Sequence, residues 1–480
     1  MSTTTPSVAA PTASNSKVIA LAIAGALGGF LFGFDSSVIN GALDAIKSDF
    51  ALDAFLTGFA VAVALLGCAV GAFLAGRLAD RWGRIPVMII GAALFVVSSL
   101  GAGFAFGVVD LIVWRVLGGL GIGIASVVAP TYISEISPSG IRGRLGSLQQ
   151  LAITVGIFAA LLSDAMFAGA AGGEGEPFWL GLNAWRWMFL AAIVPGLVYG
   201  IVASRLPESP RYLVMKGRDA QAEALIHRVQ PGVDAAAEVR VIRDAIEADA
   251  KIAKGSTLRG PVLGLKKIVW LGIILSVFQQ FVGINVIFYY STELWAAVGF
   301  SVSDSLVISV VTGLVNIAVT LIAIALVDRI GRRPILMTGS IGMAVSLGVM
   351  ALAFTQQVDG KLEGAWGPVA LVAANLFVVC FGASWGPLVW VLLGEIFPNS
   401  IRAKALGVAA AAQWIANFLI TITFPPLSAV SLPLTYGAYA LFAALSFIFV
   451  LRFIPETKGM KLEDADTLLD RSARGSGAPS

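Results

Sequence analysis

Two charged side chains lie inside long apolar stretches of the sequence, where charge is costly. Asp35 lies within Phe-Leu-Phe-Gly-Phe-Asp-Ser-Ser, and Arg115 begins Arg-x3-Gly-x-Gly-x-Gly. A carboxylate in a membrane-spanning segment indicates function by default, because it is expensive to keep there. Burial favours the protonated form of a carboxyl, whereas a neighbouring arginine favours the ionised form. A change in access to water could therefore switch the protonation state of Asp35. The pair predicts proton coupling, with a static Asp35–Arg115 ion pair as the alternative.

Uncharged amide side chains in the apolar stretches are a second set of candidates. An amide offers two donors and an acceptor without a charge, which suits an uncharged ligand that forms hydrogen bonds. A lone amide in a membrane helix is equally well explained as a hydrogen bond between helices. Seven candidates in one chain, six of them beyond residue 267, favour a binding site. The candidates are Gln150, Gln279, Gln280, Asn285, Asn316, Gln413 and Asn417.

Two of the apolar stretches contain residues that weaken a helix. Gly283 lies between Gln280 and Asn285 and permits local unwinding, as in the broken helices of transporter sites. Trp390 ends the sequence Trp-Gly-Pro-Leu-Val-Trp, in which the Gly-Pro pair should let the helix bend. We therefore expect a moving gate there, with Trp390 as an aromatic platform. The alternative for a single tryptophan is a place in the interfacial belt.

Composition places all of these residues in a membrane. The chain has 480 residues, of which 58% are hydrophobic and 13% charged, whereas soluble domains carry about 25% charged residues. Runs long enough to span a bilayer as helices lie at about 18–41, 55–78, 86–106, 110–133, 144–166, 185–206, 267–292, 304–327, 334–355, 366–393, 403–425 and 432–454. The sequence predicts an all-α membrane protein with twelve transmembrane helices. It offers no nucleophile–base set, metal cluster or phosphate loop, so we expect neither an enzyme nor a cofactor.

The runs divide the chain into two six-helix halves, 18–206 and 267–454. A disordered tail at 1–17 precedes them, a cytoplasmic linker with short surface helices (207–266) separates them, and a cytoplasmic tail (455–480) follows. With both termini inside, all but four of the 32 Lys and Arg residues fall on the inner side, which is the expected bias. A net charge of only +3 gives no indication of a nucleic-acid partner.

Three short motifs recur in the two halves at helix ends that this orientation places in the cytoplasm. The pairs lie at 78–84 and 326–332, at 134–144 and 394–404, and at 207–211 and 455–458. A parallel repeat of six helices with a substrate site between the halves is a transporter architecture. We expect the charged motif residues to form ion pairs that latch the inner side, with solvated pairs of little energetic effect as the alternative. The latch candidates are Asp80, Arg81, Arg84, Glu135, Arg142, Glu208 and Arg211, and Asp328, Arg329, Arg332, Glu395, Arg402 and Glu456.

From about residue 30 to 462 these motifs, together with Gln-Gln-Phe-Val-Gly-Ile-Asn at 279–285, resemble the sugar porter family of the major facilitator superfamily. One departure is Ile85, where the family motif usually has a second basic residue; the second copy keeps Arg333. The resemblance implies sugar contacts at Gln150, Gln279, Gln280, Asn285, Asn316, Trp390 and Gln413, with Phe32, Ile153, Ile157, Trp414 and Asn417 lining or bordering the pocket.

The resemblance also implies a function. It predicts a multi-pass protein of the bacterial inner membrane, active as a monomer in the lipid bilayer, that imports a hexose or pentose with protons by alternating access. Proton-driven bacterial members carry Asp at the position of Asp35, whereas the facilitative animal glucose carriers have Asn. The alternatives are an uncoupled facilitator and a polyol such as inositol as substrate. A sugar sensor is disfavoured because only a short tail follows the last span.

Overall fold

The computed structural model of the chain describes residues 13–138, 142–255, 257–358, 361–362, 364–398 and 401–458. The helices of the N-half are α1 (Ala13–Asp49), α2 (Ala54–Trp82), α3 (Arg84–Gly103), α4 (Val108–Ile136), α5 (Arg142–Ala171), α6 (Ala184–Ala191) and α7 (Ile193–Arg205). The linker contains α8 (Pro210–Met215), α9 (Asp219–Val229), α10 (Ala235–Gly255) and the strand β1 (Arg259–Val262).

The C-half follows the same order with more interruptions. Its helices are α11 (Lys267–Phe281), α12 (Ile284–Tyr289), α13 (Ser291–Val298), α14 (Val302–Ile330), α15 (Arg332–Phe354), α16 (Trp366–Gly382), α17 (Trp385–Ile396), α18 (Arg402–Val430) and α19 (Leu432–Phe453). Strands β2 (Gln357–Val358) and β3 (Lys361–Leu362) form a short antiparallel hairpin. Among the described residues, twelve helical stretches are long and apolar enough to cross a membrane, which confirms the predicted fold class.

The first helix is longer than predicted. It begins at Ala13, so residues 13–17 of the predicted disordered tail are helical. After Pro11 the sequence contains no residue that would break a helix before the first apolar turn, and proline itself favours the start of a helix. The rest of that tail, residues 1–12, lies outside the described residues, as do residues 459–480 of the predicted C-terminal tail.

Two membrane spans of the C-half are broken where the sequence contains glycine or proline. The seventh span breaks at Gly283, whose φ of 83° is left-handed and therefore suits glycine. The tenth breaks at Ala383–Ser384, between α16 and α17. This break lies upstream of the predicted Gly-Pro pair, because Pro387 lacks the N–H that would bond the carbonyl four residues earlier.

Glycines let α4 pack closely against α2. A Cβ added at Gly119 or Gly123 would collide with the backbone carbonyls of Ala64 and Cys68. The glycine-rich motif of α4 is therefore a helix-packing surface. Between the halves, α2 packs against α18 and α5 against α14, so the remaining helices can face a central site. The side of the bundle that carries the repeated motifs is called the motif side below.

Candidate functional site

Asp35 and Arg115 form a buried ion pair between α1 and α4. The Arg115 Nη1 atom lies 3.0 Å from the Asp35 Oδ2 atom, and the two residues are 3% and 7% exposed, respectively. The guanidinium also lies over the ring of Phe189, at 5.9 Å from its centroid. A buried charge without its partner is strongly destabilising, so each of the two groups depends on the other for its charged form.

A small cavity lies beside this pair, at the junction of the two halves. Phe32, Asp35 and Arg115 line it from the N-half, and Tyr289 of α12 lines it from the C-half. The remaining lining residues are Ser36, Val61, Ala64, Leu65, Cys68 and Ile122. The carboxyl of Asp35 is therefore placed where movement between the halves would change its surroundings.

The break in the seventh span brings two of the predicted sugar ligands together. The Asn285 Nδ2 atom donates to Gln280 Oε1 at 2.6 Å, so the amides of α11 and α12 are bonded to each other across Gly283. A Cβ on Gly283 would collide with the ring of Tyr439 on α19. Close packing thus fixes the unwound turn that presents both amides.

Gln279 is partly used to join helices. Its Nε2 donates to the carbonyls of Trp385 at 2.9 Å and Gly386 at 3.2 Å, which lie beside the break in the tenth span. Its buried Oε1 has no hydrogen-bond partner in the described part of the chain. Gln279 is therefore compatible with both interpretations of a membrane amide. Its Nε2 joins α11 to α17, and its Oε1 is an acceptor that a ligand could use.

Trp385 was not among the residues chosen from the sequence. It is fully buried and its Nε1 donates to Ser340 Oγ at 2.9 Å, which anchors α17 to α15. The predicted platform Trp390 is 42% exposed and lies further along α17. In this conformation Trp390 does not close over the amides as a buried lid would.

An aromatic contact joins the halves beside the amides of α18. The rings of Phe32 and Trp414 meet edge to face with centroids 5.4 Å apart. One turn along, Asn417 is buried and its Oδ1 accepts from Thr421. Gln413 Oε1 is buried without a partner within the described ranges. It is therefore a second free acceptor on the C-half.

The remaining predicted ligands lie on α5 and α14. Gly33 of α1 packs directly on the backbone of Ile153 and near that of Ile157, so both isoleucines lie at the α1–α5 interface. Asn316 is buried close to Gly382. Gln150 is half-buried. Its neighbour Gln149, which is in the same run but is not among the amides predicted from the sequence, has a buried Oε1 without a partner among the described atoms.

The latch residues of the first motif pair join helices within one half. Arg84 donates to both carboxylate oxygens of Glu135, at 2.8 and 2.9 Å, and to Asp80 at 3.1 Å. In the second half Arg332 contacts Glu395 at 3.0 Å. Arg402 of the second motif contacts the chain elsewhere: its Nε donates to the Phe397 carbonyl. Glu395 accepts from Arg332 and from the Thr457 hydroxyl.

For the other latch candidates the structure describes few or no side-chain contacts. Arg81 is exposed, and its carbonyl accepts a 3.5 Å bond from the Tyr212 hydroxyl. Arg211 lies in the first turn of α8. The side chains of Arg142, Asp328 and Arg329 lie outside the described part of the chain.

The two glutamates after the sixth and twelfth spans, which are also predicted latch residues, cap helices in this structure. Glu208 accepts from the backbone N–H groups of Arg84 and Ile85 at the start of α3. Glu456 accepts from those of Arg332 and Arg333 at the start of α15, at 3.0 and 3.1 Å. A carboxylate at a helix N-terminus satisfies unpaired donors and complements the helix dipole.

Protonation of Glu456 is therefore expected to weaken the folded state. Burial would raise the pKa of Glu456, but the surrounding backbone N–H donors outweigh it and hold the pKa below its usual value. A depressed pKa stabilises the fold above the usual value and loses that stabilisation as the pH falls through the folded value. Thermal unfolding from pH 7 down to about pH 3, which extends below the usual pKa of a glutamate, should show Glu456→Gln less stable at neutral pH and less pH-dependent below that pKa. The control Glu247→Gln, exposed on α10, should follow the parent; if Glu456→Gln does too, the cap does not stabilise the fold.

On the side opposite the motifs, polar bonds cross between the halves. Asn40 Oδ1 of α1 accepts from the Thr292 backbone N–H at 3.1 Å, and the Thr292 hydroxyl donates to Asn40 at 3.2 Å. Lys47 and Glu293 form a salt bridge at 3.5 Å. These contacts close that side, whereas the motif-side pairs above each stay within one half.

Asn40→Ala is expected to open this side. Each lost hydrogen bond contributes about 1 kcal/mol, and about 1.4 kcal/mol changes a population ratio tenfold. Spin labels at Phe55 and Val430, both exposed near the ends of α2 and α18, should show a larger long-distance fraction in a background with both cysteines replaced. Ser428→Ala is the control, because among the described residues the Ser428 hydroxyl bonds only its own helix. An unchanged distance distribution in Asn40→Ala would show that these bonds do not hold the closure.

Known proteins are similar to this chain along almost its whole length. The family profile described as Sugar (and other) transporter matches residues 21–469. A glucose transport protein of Synechocystis is 53% identical over 458 residues, covering 94% of this chain and 97% of its own. The D-xylose-proton symporter of Escherichia coli K12 is 35% identical, with 95% and 96% covered.

Solved structures agree in fold. The xylose transporter XylE of E. coli, in a partially occluded inward-open conformation, has a TM-score of 0.81 at 33% identity and covers 93% of this chain and all of its own. XylE bound to 6-bromo-6-deoxy-D-glucose has a TM-score of 0.79 at 34% identity, with 95% and 99% covered. The fold, the repeated motifs and these similarities show that the chain belongs to the sugar porter family of the major facilitator superfamily.

Proposed function

We propose that this protein imports a monosaccharide together with a proton by alternating access. The observation that carries the proposal is the Asp35–Arg115 pair beside the cavity between the halves. A protonatable group at that place can change its access to water when the halves move. The relatives include symporters of xylose and of arabinose with protons.

The sugar would bind to the amides of the C-half. Gln279 and Gln413 each offer a buried acceptor without a partner among the described residues, and sugar hydroxyls are donors of the required kind. The Gln280–Asn285 pair would exchange its internal bond for bonds to the sugar. Trp414 and Phe32 supply an apolar border. A hexose is the first substrate to test, because the 53% identical relative is a glucose transport protein.

We propose that the motif side and both termini face the cytoplasm and that one chain is the working unit. The bias of Lys and Arg to the motif side supports the orientation, and a site between the halves of one chain needs no second copy. The opposite side, called the outer side below, is then closed in this conformation. Sugar and proton would drive the change between states through their different affinities for the two states.

The test is sugar uptake into liposomes that contain the purified protein, with and without an inward proton gradient. Glucose, xylose, arabinose and inositol are compared as substrates. We expect at least one monosaccharide to accumulate above its equilibrium level only when the gradient is present. Uptake that stops at equilibrium in both conditions would make the protein a facilitator, and accumulation of inositol alone would make it a polyol carrier.

A further inference from the structure

Asp164 of α5 is a fully buried carboxyl that neither the proton pair nor the sugar amides use. Its exposure is 0%, and both carboxyl oxygens lack a hydrogen-bond partner in the described part of the chain. It packs against Gly41 of α1, where an added Cβ would lie 2.7 Å from Asp164 Oδ2. The glycine therefore allows the carboxyl to be sealed against the neighbouring helix.

The cations around Asp164 are engaged elsewhere. Charged groups on the outer parts of the helices packed against α5 are Asp35, Asp44, Lys47 and Asp49 on α1, Asp110 and Arg115 on α4, Arg186 on α6, and Asp304 on α14. Arg115 pairs with Asp35 and Lys47 with Glu293. Arg186 donates to the carbonyls of Gly103 and Ala105. The structure therefore supplies no positive partner that would offset a negative charge on Asp164 in the regions it describes.

An ionised carboxylate in this position would be a buried charge without compensation, which proteins avoid by neutralising the group. A protonated carboxyl is neutral and therefore compatible with the observed packing, and its O–H can donate a hydrogen bond. Ser37, one helical turn before Gly41 on the same face of α1, is also fully buried, and its hydroxyl lacks a partner among the described atoms. The α1–α5 interface thus has a polar spot that suits a neutral acid.

We propose that Asp164 is a second proton-binding site, separate from Asp35, and that the proton it carries stabilises the outer-closed conformation. Gly41 is adjacent to Asn40, which bonds Thr292 of the other half. Loss of the proton would push α1 away from α5 and weaken these cross-half bonds. The proton comes from the outer solution when the interface is open and is retained while it is closed. This role does not depend on whether Asp35 carries the coupled proton.

The first test detects the proton directly. Infrared spectra of the wild-type protein at pH 7 should contain the carbonyl stretch of a protonated carboxylic acid that is absent in Asp164→Asn and retained in Asp110→Asn, a matched change on α4. Gly41→Ala, which keeps Asp164 but forces its carboxyl off α1, should lose the band at lower pH than the wild type. If the wild type minus Asp164→Asn difference contains only carboxylate bands, Asp164 is ionised and the proposal fails.

The second test asks whether the proton controls the outer side. Spin labels at Phe55 and Val430 report closure in an Asp35→Asn background, so that titration of Asp35 does not contribute. With Asp164 present, the ratio of closed to open should fall as the pH rises, by up to about tenfold per pH unit over the range in which the closed state keeps the proton and the open state has lost it. With Asp164→Asn the outer side should stay closed over the same range. Identical pH profiles with and without Asp164 would overturn the link between its proton and closure.

Discussion

Replacement of Asp35 by Asn is expected to abolish proton-driven accumulation of sugar and to leave equilibrium exchange in place. Asparagine has nearly the same shape and still accepts a hydrogen bond from Arg115, but it cannot gain or lose a proton in this pH range. With one proton per sugar, a gradient of one pH unit can support about tenfold accumulation, since tenfold corresponds to about 1.4 kcal/mol. The variant should reach an inside-to-outside ratio of about one.

The measurement compares counterflow exchange and net uptake in the same liposomes. Asp304→Asn, at the outer end of α14, is the matched control and should still accumulate sugar. Loss of both exchange and accumulation in Asp35→Asn would mean that Arg115 without its anionic partner disrupts the fold, as an uncompensated buried charge can. Accumulation equal to that of the wild type would make Asp35 a static partner of Arg115 and place the coupling elsewhere.

The helices could be predicted from the sequence because the bilayer imposes a simple rule. Every span must satisfy its own backbone, so apolar length alone gives the number of helices. The break at Gly283 could be predicted because glycine readily adopts the left-handed backbone conformation that is found there. The break at Ala383–Ser384 lies a few residues before the predicted Gly-Pro pair, because Pro387 has no N–H to bond the carbonyl four residues upstream.

The partners of the polar residues could not be predicted in the same way. Glu208 and Glu456 cap helices that begin about 124 residues away along the chain, and sequence gives no register for such a contact. The burial of Asp164 could not be predicted, because its position near the end of the fifth span is equally compatible with an exposed carboxyl. Only the packing of α1 through Gly41 shows that the carboxyl is covered. The predicted latch residues that form ion pairs do so within one half, and spacing alone does not reveal which helix ends are neighbours.

Gln280→Ala is expected to weaken sugar binding without unfolding the protein. The Gln280 amide bonds only Asn285 among the described residues, so in the absence of sugar its loss frees one partner at the edge of the broken span. With sugar bound, the hydroxyls that it meets would be left unpaired inside the protein, at about 1–3 kcal/mol each. One such hydroxyl corresponds to a rise in Kd of about 5- to 150-fold.

Asn375→Ala is the matched control for this change. Asn375 is also a membrane amide, but it accepts from the Thr312 hydroxyl and donates to the Leu371 carbonyl on α16, bonds that only join helical segments. Its removal should lower the unfolding temperature and leave the Kd for sugar unchanged. Titration calorimetry in detergent, with thermal unfolding on the same samples, separates the two effects. If Gln280→Ala lowers only the unfolding temperature and keeps its Kd, the amides of the seventh span join helices and the sugar binds elsewhere.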